Sequence, residues 1–306
     1  MRDREAGNGA VQRIYSRNAA FQKFEVLKTN RNKRHRYGEF FVEGVRNLNE
    51  AVRSGWTVRS FLYSFETPLS HWAREMLGRV RTERNYELTD ALMAGLSGKN
   101  DASELMAVIR MREEDPGRLA LGDNPLLALF DRPSNRGNLG TMLRSCDSLG
   151  VEALVLTGHG VDLYDPDVVV SSMGSFFRVP AIHMDSSGEV EAWIAALRRQ
   201  YPRLRVVGTT SHAERPLFEM DLSGPVLFLI GNETEGLCAR FKEWSDEMAT
   251  IPMAEGCCAS SFNVSCASTV LFYEAVRQRR LGPPGPAQER GAGPLSAGDP
   301  QENLRG

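Results

Sequence analysis

The sequence predicts an α/β protein with two α/β units in series, a small one followed by a larger one built on a mostly parallel sheet. Three observations carry that expectation. Beyond residue 124 the chain alternates short apolar runs, Pro125 to Asp131, Val151 to Thr157, Leu204 to Thr210 and Pro225 to Ile230, with stretches of helical spacing. Runs of that kind suit strands buried on both faces, and their alternation with helices suits a parallel sheet covered on both sides. The preceding hundred residues show their own strand and helix alternation. Between the two, residues 113–124 (EEDPGRLALGDN) are polar and punctuated by Pro116, Gly117 and Gly122, as a linker is. The expected organisation is therefore 1–112, a linker at 113–124, a larger unit at 125–281, and a Pro- and Gly-rich tail at 282–306 that lacks apolar periodicity and is expected to be disordered.

In order, Phe21 to Arg36 starts as a short helix and runs into a basic cluster. Glu39 to Glu43 reads as a strand closed by Gly44, and Asn47 to Ser54 as a helix with Leu48, Ala51 and Val52 on one side. A strand from Val58 to Tyr63, helices over 70–81 and 89–96, and a strand from Glu104 to Met111 complete the small unit. In the larger unit the strand at 125–131 turns at Arg132-Pro133-Ser134-Asn135 into a helix over 137–149. Leu139, Met142, Leu143 and Cys146 of that helix point inward and Arg144 falls on a polar flank. A loop and helix follow at 163–172 with Pro166 near the start, then an amphipathic helix at 190–199. After Ile251-Pro252-Met253 a small-residue loop changes at Ser261-Phe262-Asn263 into a last helix with Val264, Ala267, Leu271 and Ala275 on one face.

Length and composition set bounds. At 306 residues, 42% hydrophobic and 25% charged, the chain can bury a sizeable core. The formal net charge of −2 does not announce a nucleic-acid binder, but Lys28, Arg31, Lys33, Arg34 and Arg36 concentrate positive charge beside His35 and Tyr37. No apolar run approaches the ~20 residues that span a bilayer, and the start MRDREAGNGA has no apolar signal core, so a cytoplasmic protein without a membrane partner is expected. The five cysteines are odd in number and lack C-x-x-C spacing, and His159, His183 and His212 follow no metal-ligand rhythm. A reduced, metal-free protein is expected, with Cys257 and Cys258 as small buried filler.

Three stretches carry chemistry: Asn135-Arg136-Gly137-Asn138-Leu139-Gly140 continuing through Arg144, Gly231-Asn232-Glu233-Thr234-Glu235-Gly236, and Ile251-Pro252-Met253 followed by Ser261-Phe262-Asn263-Val264-Ser265. Taken singly, Ser261 and Asn263 read first as ordinary helix caps. Together, each following a strand-like run, the three stretches resemble the motifs of the SpoU (TrmH-like) branch of the SPOUT RNA methyltransferases, over 124–280. Glu39 to Ala51 likewise resembles the F-x-x-E-G-x-R-x-x-x-E-A entry of the small RNA-binding domain, related to ribosomal proteins that bind RNA kinks, which many such enzymes carry in front. The absence of G-x-G-x-x-G after the first strand of the larger unit argues against a Rossmann mode of binding the cofactor.

The resemblance implies 2′-O-methylation of a ribose in structured RNA with S-adenosylmethionine as donor, ribosomal RNA before transfer RNA, in a homodimer with a deep trefoil knot. Known relatives of this layout include housekeeping enzymes and enzymes of antibiotic resistance. By the same resemblance Arg144 clamps the reacting ribose and phosphate, Asn135 orients the site, Glu233 fixes neighbouring loops or substrate, and Ser261 and Asn263 touch substrate and hold Arg144. Cofactor contacts fall to Gly208, Thr209, Thr210, Gly231, Asn232, Ile251, Met253, Ser260 and Phe262, the last standing where the family has leucine. RNA contacts fall to Lys28, Arg31, Lys33, Arg34, Arg36 and Arg46. The rival reading is a non-catalytic RNA-binding or assembly protein on the same fold. The retention of Asn135, Arg144, Glu233, Ser261 and Asn263 together argues against it.

Overall fold

A computed structural model describes residues 9–98, 101–211 and 215–282 and shows two sheets with their helices. The tail expected at 282–306 lies, past Gly282, outside the described residues. The first sheet has strand order β1-β4-β3-β5-β2, made of β1 (Ala10–Ile14), β2 (Glu39–Glu43), β3 (Val58–Ser64), β4 (Arg84–Leu88) and β5 (Leu105–Arg110). Its helices are α1 (Ala19–Thr29), α2 (Arg31–Tyr37), α3 (Val45–Arg53), α4 (His71–Arg79) and α5 (Asp90–Leu96). β1 and β4 were not among the expected strands. Both are polar alternations, AVQRI and RNYEL, at one side of the sheet.

The second sheet has order β10-β12-β9-β11-β6-β7-β8, every neighbouring pair parallel. It contains β6 (Leu126–Asp131), β7 (Ala153–Thr157), β8 (Ala181–Met184), β9 (Arg205–Thr209), β10 (Arg215–Pro216), β11 (Val226–Ile230) and β12 (Glu247–Thr250). α6 (Arg136–Leu149), α7 (Pro166–Ser171), α8 (Ser187–Gln200), α9 (Ala239–Trp244) and α10 (Val264–Leu281) connect and cover it. The apolar run of β6 shows why two-sided burial needs no alternation. Leu126, Ala128 and Phe130 enter one core cluster while Leu127 and Leu129 enter another, on opposite faces.

The two sheets share a core. One cluster joins Phe40, Val42 and Phe61 of the small unit to Leu139, Met142, Phe176 and Phe228 of the larger one. Phe40, Trp56, Tyr164, Phe176 and Phe177 pack ring against ring across the junction, mostly edge to face or tilted, and Trp56 donates its indole N–H to the Phe177 carbonyl at 2.9 Å. The segment Ser172 to Pro180 thus packs the junction. Ser175, and Arg178 beside it, both hydrogen bond Asp147 of α6 at 2.9 Å.

Arg34 corrects an expectation. Assigned to RNA contact, it is 2% exposed and bolts the two units together. Its guanidinium donates to Asp162 at 2.7 Å and Asp165 at 3.3 Å, and to the carbonyls of Leu27 and Lys28. A charge this deep has to be paired, and its partners lie in the loop ahead of α7. Burial alone pushes the Asp162 carboxyl up, but the hydrogen bond from His35 and the charge of Arg34 together hold it below the usual aspartate range. A carboxyl depressed in this way contributes stability above its unfolded pKa of ~3.9, lost as pH falls through the folded value. Arg34→Ala leaves that buried carboxylate short of its main partner and is expected to cost about 3–5 kcal/mol. A fall in the urea midpoint at neutral pH that shrinks at acid pH checks it.

Candidate active site

Because β12, β9, β11 and β6 are adjacent and parallel, the loops leaving their carboxyl ends gather along one edge of the sheet. Three of them form a cleft of about 220 Å³. Seven of the nine residues expected to hold a cofactor line it: Thr209, Thr210, Gly231, Asn232, Ile251, Met253 and Phe262. Two do not. Gly208 is buried beneath the cleft, where a Cβ would stand 2.4 Å from Ser245 Oγ and 2.5 Å from Met248 Sδ, so its smallness serves packing. Ser260 is exposed outside the lining.

The turn after β11 is tight. Asn232 and Gly236 exchange backbone hydrogen bonds at 3.0 Å, and a Cβ at Gly231 would stand 2.2 Å from the Leu237 amide nitrogen. Only glycine lets the turn fold back so closely. The Asn232 side chain braces the turn from inside, accepting from the amides of Thr234 and Glu235 and donating to the Arg132 carbonyl.

Glu233 then reaches from this turn to the loop after β6. One carboxylate oxygen accepts from the Ser134 amide (2.9 Å) and hydroxyl (2.7 Å), the other from the Asn135 amide (3.1 Å) and the Asn138 side chain (3.2 Å). Burial pushes its pKa up, but the hydrogen bonds from Ser134 and Asn138 outweigh it and hold the carboxyl below the usual glutamate range. Glu233 is thus an ionised clasp between loops. Asn138 Oδ1 in turn accepts from Asn263 Nδ2 at 3.0 Å, and Asn263 Oδ1 caps α10 through the amides of Ser265 and Cys266. Asn135 caps α6 through the Asn138 amide at 3.0 Å. The capping reading of both asparagines therefore holds alongside their place in the site.

Asn138 is the residue the sequence reading quoted without a role. Its amide links Glu233 to Asn263 and so ties three loops together. Its position in the first turn of α6, three residues after the cap, was the available signal.

Arg144 stands apart from this cluster. It lies exposed two turns down α6, beside Thr141, Ser148, Thr269, Val270 and Tyr273 in a shallow depression of about 520 Å³. The expectation that Ser261 and Asn263 hold it is not met within one chain: Asn263 spends its side chain on Asn138 and α10, and Ser261 lines the cleft. Cys257 and Cys258 also depart from expectation. Both are exposed, because the loop between β12 and α10 runs over the surface and offers them no core to fill. Among the described residues no group of three or more Cys, His, Asp or Glu could hold a metal, and no helix is long and apolar enough to cross a membrane.

The basic cluster divides in use. Lys28 turns its ammonium to the Leu96 carbonyl and over the Phe41 ring, and Arg31 bridges to the Gly160 carbonyl at 3.0 Å. Arg36 and Arg46 are exposed and Lys33 half-buried; none of them makes a side-chain ion pair among the described residues. Arg46 sits where α3 faces Gly174 of the larger unit. Neutralising Lys33 and Arg36 together is expected to weaken RNA binding and flatten its salt dependence by roughly 1.4–1.8 in log–log slope, with cofactor affinity unchanged. Filter binding across a salt series measures it.

A parallel sheet whose late loops, rather than a glycine-rich first turn, shape the cleft, joined to a small α/β unit, matches the layout that the resemblance to the SPOUT methyltransferases implies. The chain belongs to the SpoU rRNA methylase family, whose model matches residues 125–273; a SpoU L30e-like domain model matches residues 18–107. The chain is 45% identical over 282 residues, 92% of its length and 97% of the relative's, to a 23S rRNA (uridine(2479)-2′-O)-methyltransferase of Streptomyces viridochromogenes. It is 31% identical over 214 residues, 70% of this chain and 84% of the relative, to the 23S rRNA (guanosine-2′-O-)-methyltransferase RlmB of Photorhabdus laumondii. The crystal structure of the SpoU methyltransferase AviRb from S. viridochromogenes with AdoMet superposes with a TM-score of 0.82 at 44% identity, covering 87% of this chain and all of that one.

Proposed function

We propose that the protein transfers the methyl group of S-adenosylmethionine to a ribose 2′-hydroxyl of 23S ribosomal RNA, in the cytoplasm and as a homodimer without a metal. The observation that carries this reading is the Glu233–Asn138–Asn263 chain, which gathers three loops at the mouth of a cleft suited to the cofactor. Ile230, Ile251, Leu271 and the 45%-exposed ring of Phe262 offer apolar surface to adenine, and the backbone turns at 231–234 offer polar groups to the rest. Bound there, the cofactor supplies an already activated methyl group. The protein's task is to hold the acceptor oxygen in line and favour its developing negative charge.

Arg144 fits the second task as an electrostatic clamp. A guanidinium offers five N–H donors and no acceptor, so it stabilises an alkoxide better than it accepts a proton. The clamp enters the site through the dimer. α6 and α10 present Arg144 and Thr141 beside Val270 and Tyr273, which are 40% and 57% exposed, an apolar and polar mixture of the kind buried between subunits. Residues 1–112 are read as the RNA-binding domain, 113–124 as the linker and 125–281 as the methyltransferase domain, whose trefoil threading is part of the same reading.

The test is methyl incorporation from labelled S-adenosylmethionine into purified 23S, 16S and transfer RNA, with alkaline cleavage mapping of the product. A block at one phosphodiester of 23S RNA supports the proposal. Methylation of transfer RNA alone overturns its substrate, and cofactor-independent RNA binding without transfer moves the protein to a non-catalytic role.

A further inference from the structure

We infer that Arg132 is a positioning residue that locks the cofactor-side turn 231–236 to the catalytic loop 133–138. The inference rests on reading the cleft as the cofactor site. Arg132 has φ +49, in the left-handed region where side chains other than glycine are uncommon, and it is one of only two such residues among those described. A residue held there by its surroundings marks a place where the fold over-determines the backbone for a purpose. The surroundings are specific. The left-handed turn folds the side chain back over its own strand, so that Nε and Nη2 donate to both oxygens of Asp131 at 3.1 and 3.2 Å while Nη1 pairs with Glu235. The same residue's carbonyl accepts the Asn232 side chain at 2.6 Å.

Asp131 is itself 2% exposed and anchored, accepting from the Thr157 hydroxyl and the Cys238 amide at 3.1 Å. Arg132 therefore sits between a fixed post at the end of β6 and a turn that carries Asn232 and Glu233. The opposite wall is cut to fit it, since a Cβ at Gly158 would stand 2.6 Å from Arg132 Cγ. Glu233 closes the circuit from the other side by gripping Ser134 and Asn135. The loop after β6 and the turn after β11 are thus tied by the Arg132 guanidinium through Glu235, by Asn232 to the Arg132 carbonyl, and by Glu233. With the guanidinium removed the turn loses its tie at Glu235 and is held only through Asn232 and Glu233, so its far side is free to move. The chain departs from a freely chosen left-handed residue here, because glycine would satisfy the backbone without supplying the clamp.

The test separates clamp from backbone. Arg132→Gly keeps the left-handed turn without strain and deletes the guanidinium, and Glu235→Gln deletes its exposed partner alone. Both are expected to raise the Kd for S-adenosylhomocysteine, by about tenfold for Arg132→Gly and less for Glu235→Gln, with RNA affinity near wild type; the melting temperature stays near wild type in Glu235→Gln and falls in Arg132→Gly, which leaves the buried Asp131 without its cation. The double variant is expected to fall short of the sum of the two, as for partners in one contact. Amide exchange of residues 232–236 in the cofactor-free protein should rise in Arg132→Gly, whatever ligand the cleft takes. Wild-type exchange in that turn together with fully additive binding effects overturns the inference, as does a lower melting temperature with unchanged ligand affinity. Failure of the wild-type protein to bind the cofactor analogue defeats the functional reading instead, and leaves the exchange measurement to judge Arg132.

Discussion

Glu233→Gln lowers kcat/KM for methyl transfer by roughly two to three orders of magnitude and leaves the melting temperature nearly unchanged. The carboxylate accepts four hydrogen bonds from Ser134, Asn135 and Asn138 and is an acceptor only. Glutamine has the same shape but must turn an NH₂ group toward one oxygen's set of donors. With the NH₂ toward Asn135 and Asn138 two donors lose their acceptor; toward Ser134 the backbone amide loses its acceptor while the hydroxyl can turn to accept. Hydrogen bonds to a charged group are worth about 1.5–3 kcal/mol each, so either orientation loses at least one of them and the charge that strengthened the rest, which loosens the loop that presents Asn138. The loss falls on catalysis because the clasp joins surface loops, while the core lies beneath them.

The same clasp fixes an expectation for pH. Glu233 is held below the ordinary glutamate range, so its ionised form, and the loop arrangement that needs it, persists as pH falls past the ordinary value of ~4.3. A pH profile of wild-type turnover should therefore show no loss from this group between pH 8 and 5. An acid limb in that window that disappears in Glu233→Gln would contradict the assignment of Glu233 as a permanently ionised clasp.

What could be read from the sequence follows what each element buries. β6, β7 and β11 are covered on both faces, so their apolar runs announce them, and α6 and α10 carry helical stripes against the same core. β1 and β4 are half polar, and α9 and β12 are too short to show a period, so nothing local marks them. The cleft was legible through the resemblance of the three motifs to the SpoU pattern, which grouped Thr209, Asn232 and Met253, and the parallel sheet explains the grouping because loops after its strands fall on one edge. Arg34 was not. Its burial depends on Asp162 and Asp165, more than a hundred residues away, and a cationic run looks the same whether it faces solvent or a carboxylate. Arg144 was named as a flank residue, and within one chain it stands apart from the Ser261 and Asn263 with which it was grouped. Six residues of helix separate it from Asn138, about 9 Å along the axis, and turn it toward α10.

That separation yields the second large effect. Arg144→Ala is expected to reduce methyl transfer by at least about 10²–10³-fold, the scale for removing a group that stabilises developing charge. Arg144 lies on the surface beside Val270 and Tyr273, away from its own chain's Glu233–Asn138–Asn263 cluster, and the proposed dimer has it complete the cleft of a second subunit. Mixing the two inactive variants distinguishes the arrangements. In a dimer of one Arg144→Ala chain and one Glu233→Gln chain, a site shared between subunits leaves one cleft with both groups intact and the other with neither. Random exchange makes half the dimers mixed, so roughly a quarter of wild-type activity should return in a twofold-symmetric assembly. If both groups acted within one chain, each cleft of the mixed dimer would lack one of them and no activity would return. Native mass spectrometry establishes that exchange has occurred. Mixed dimers without recovered activity would place Arg144 in its own chain's site, and a persistently monomeric protein with full activity would remove the shared site altogether. The apolar face also predicts which change breaks the assembly. Tyr273→Glu puts a charge into the depression between α6 and α10, where burial against a second copy is costly, and should yield monomers that keep cofactor binding and lose transfer. On the proposed reading the cofactor cleft is built from one chain's loops and the clamp from the other's, so the two measurements part company only if the site is shared.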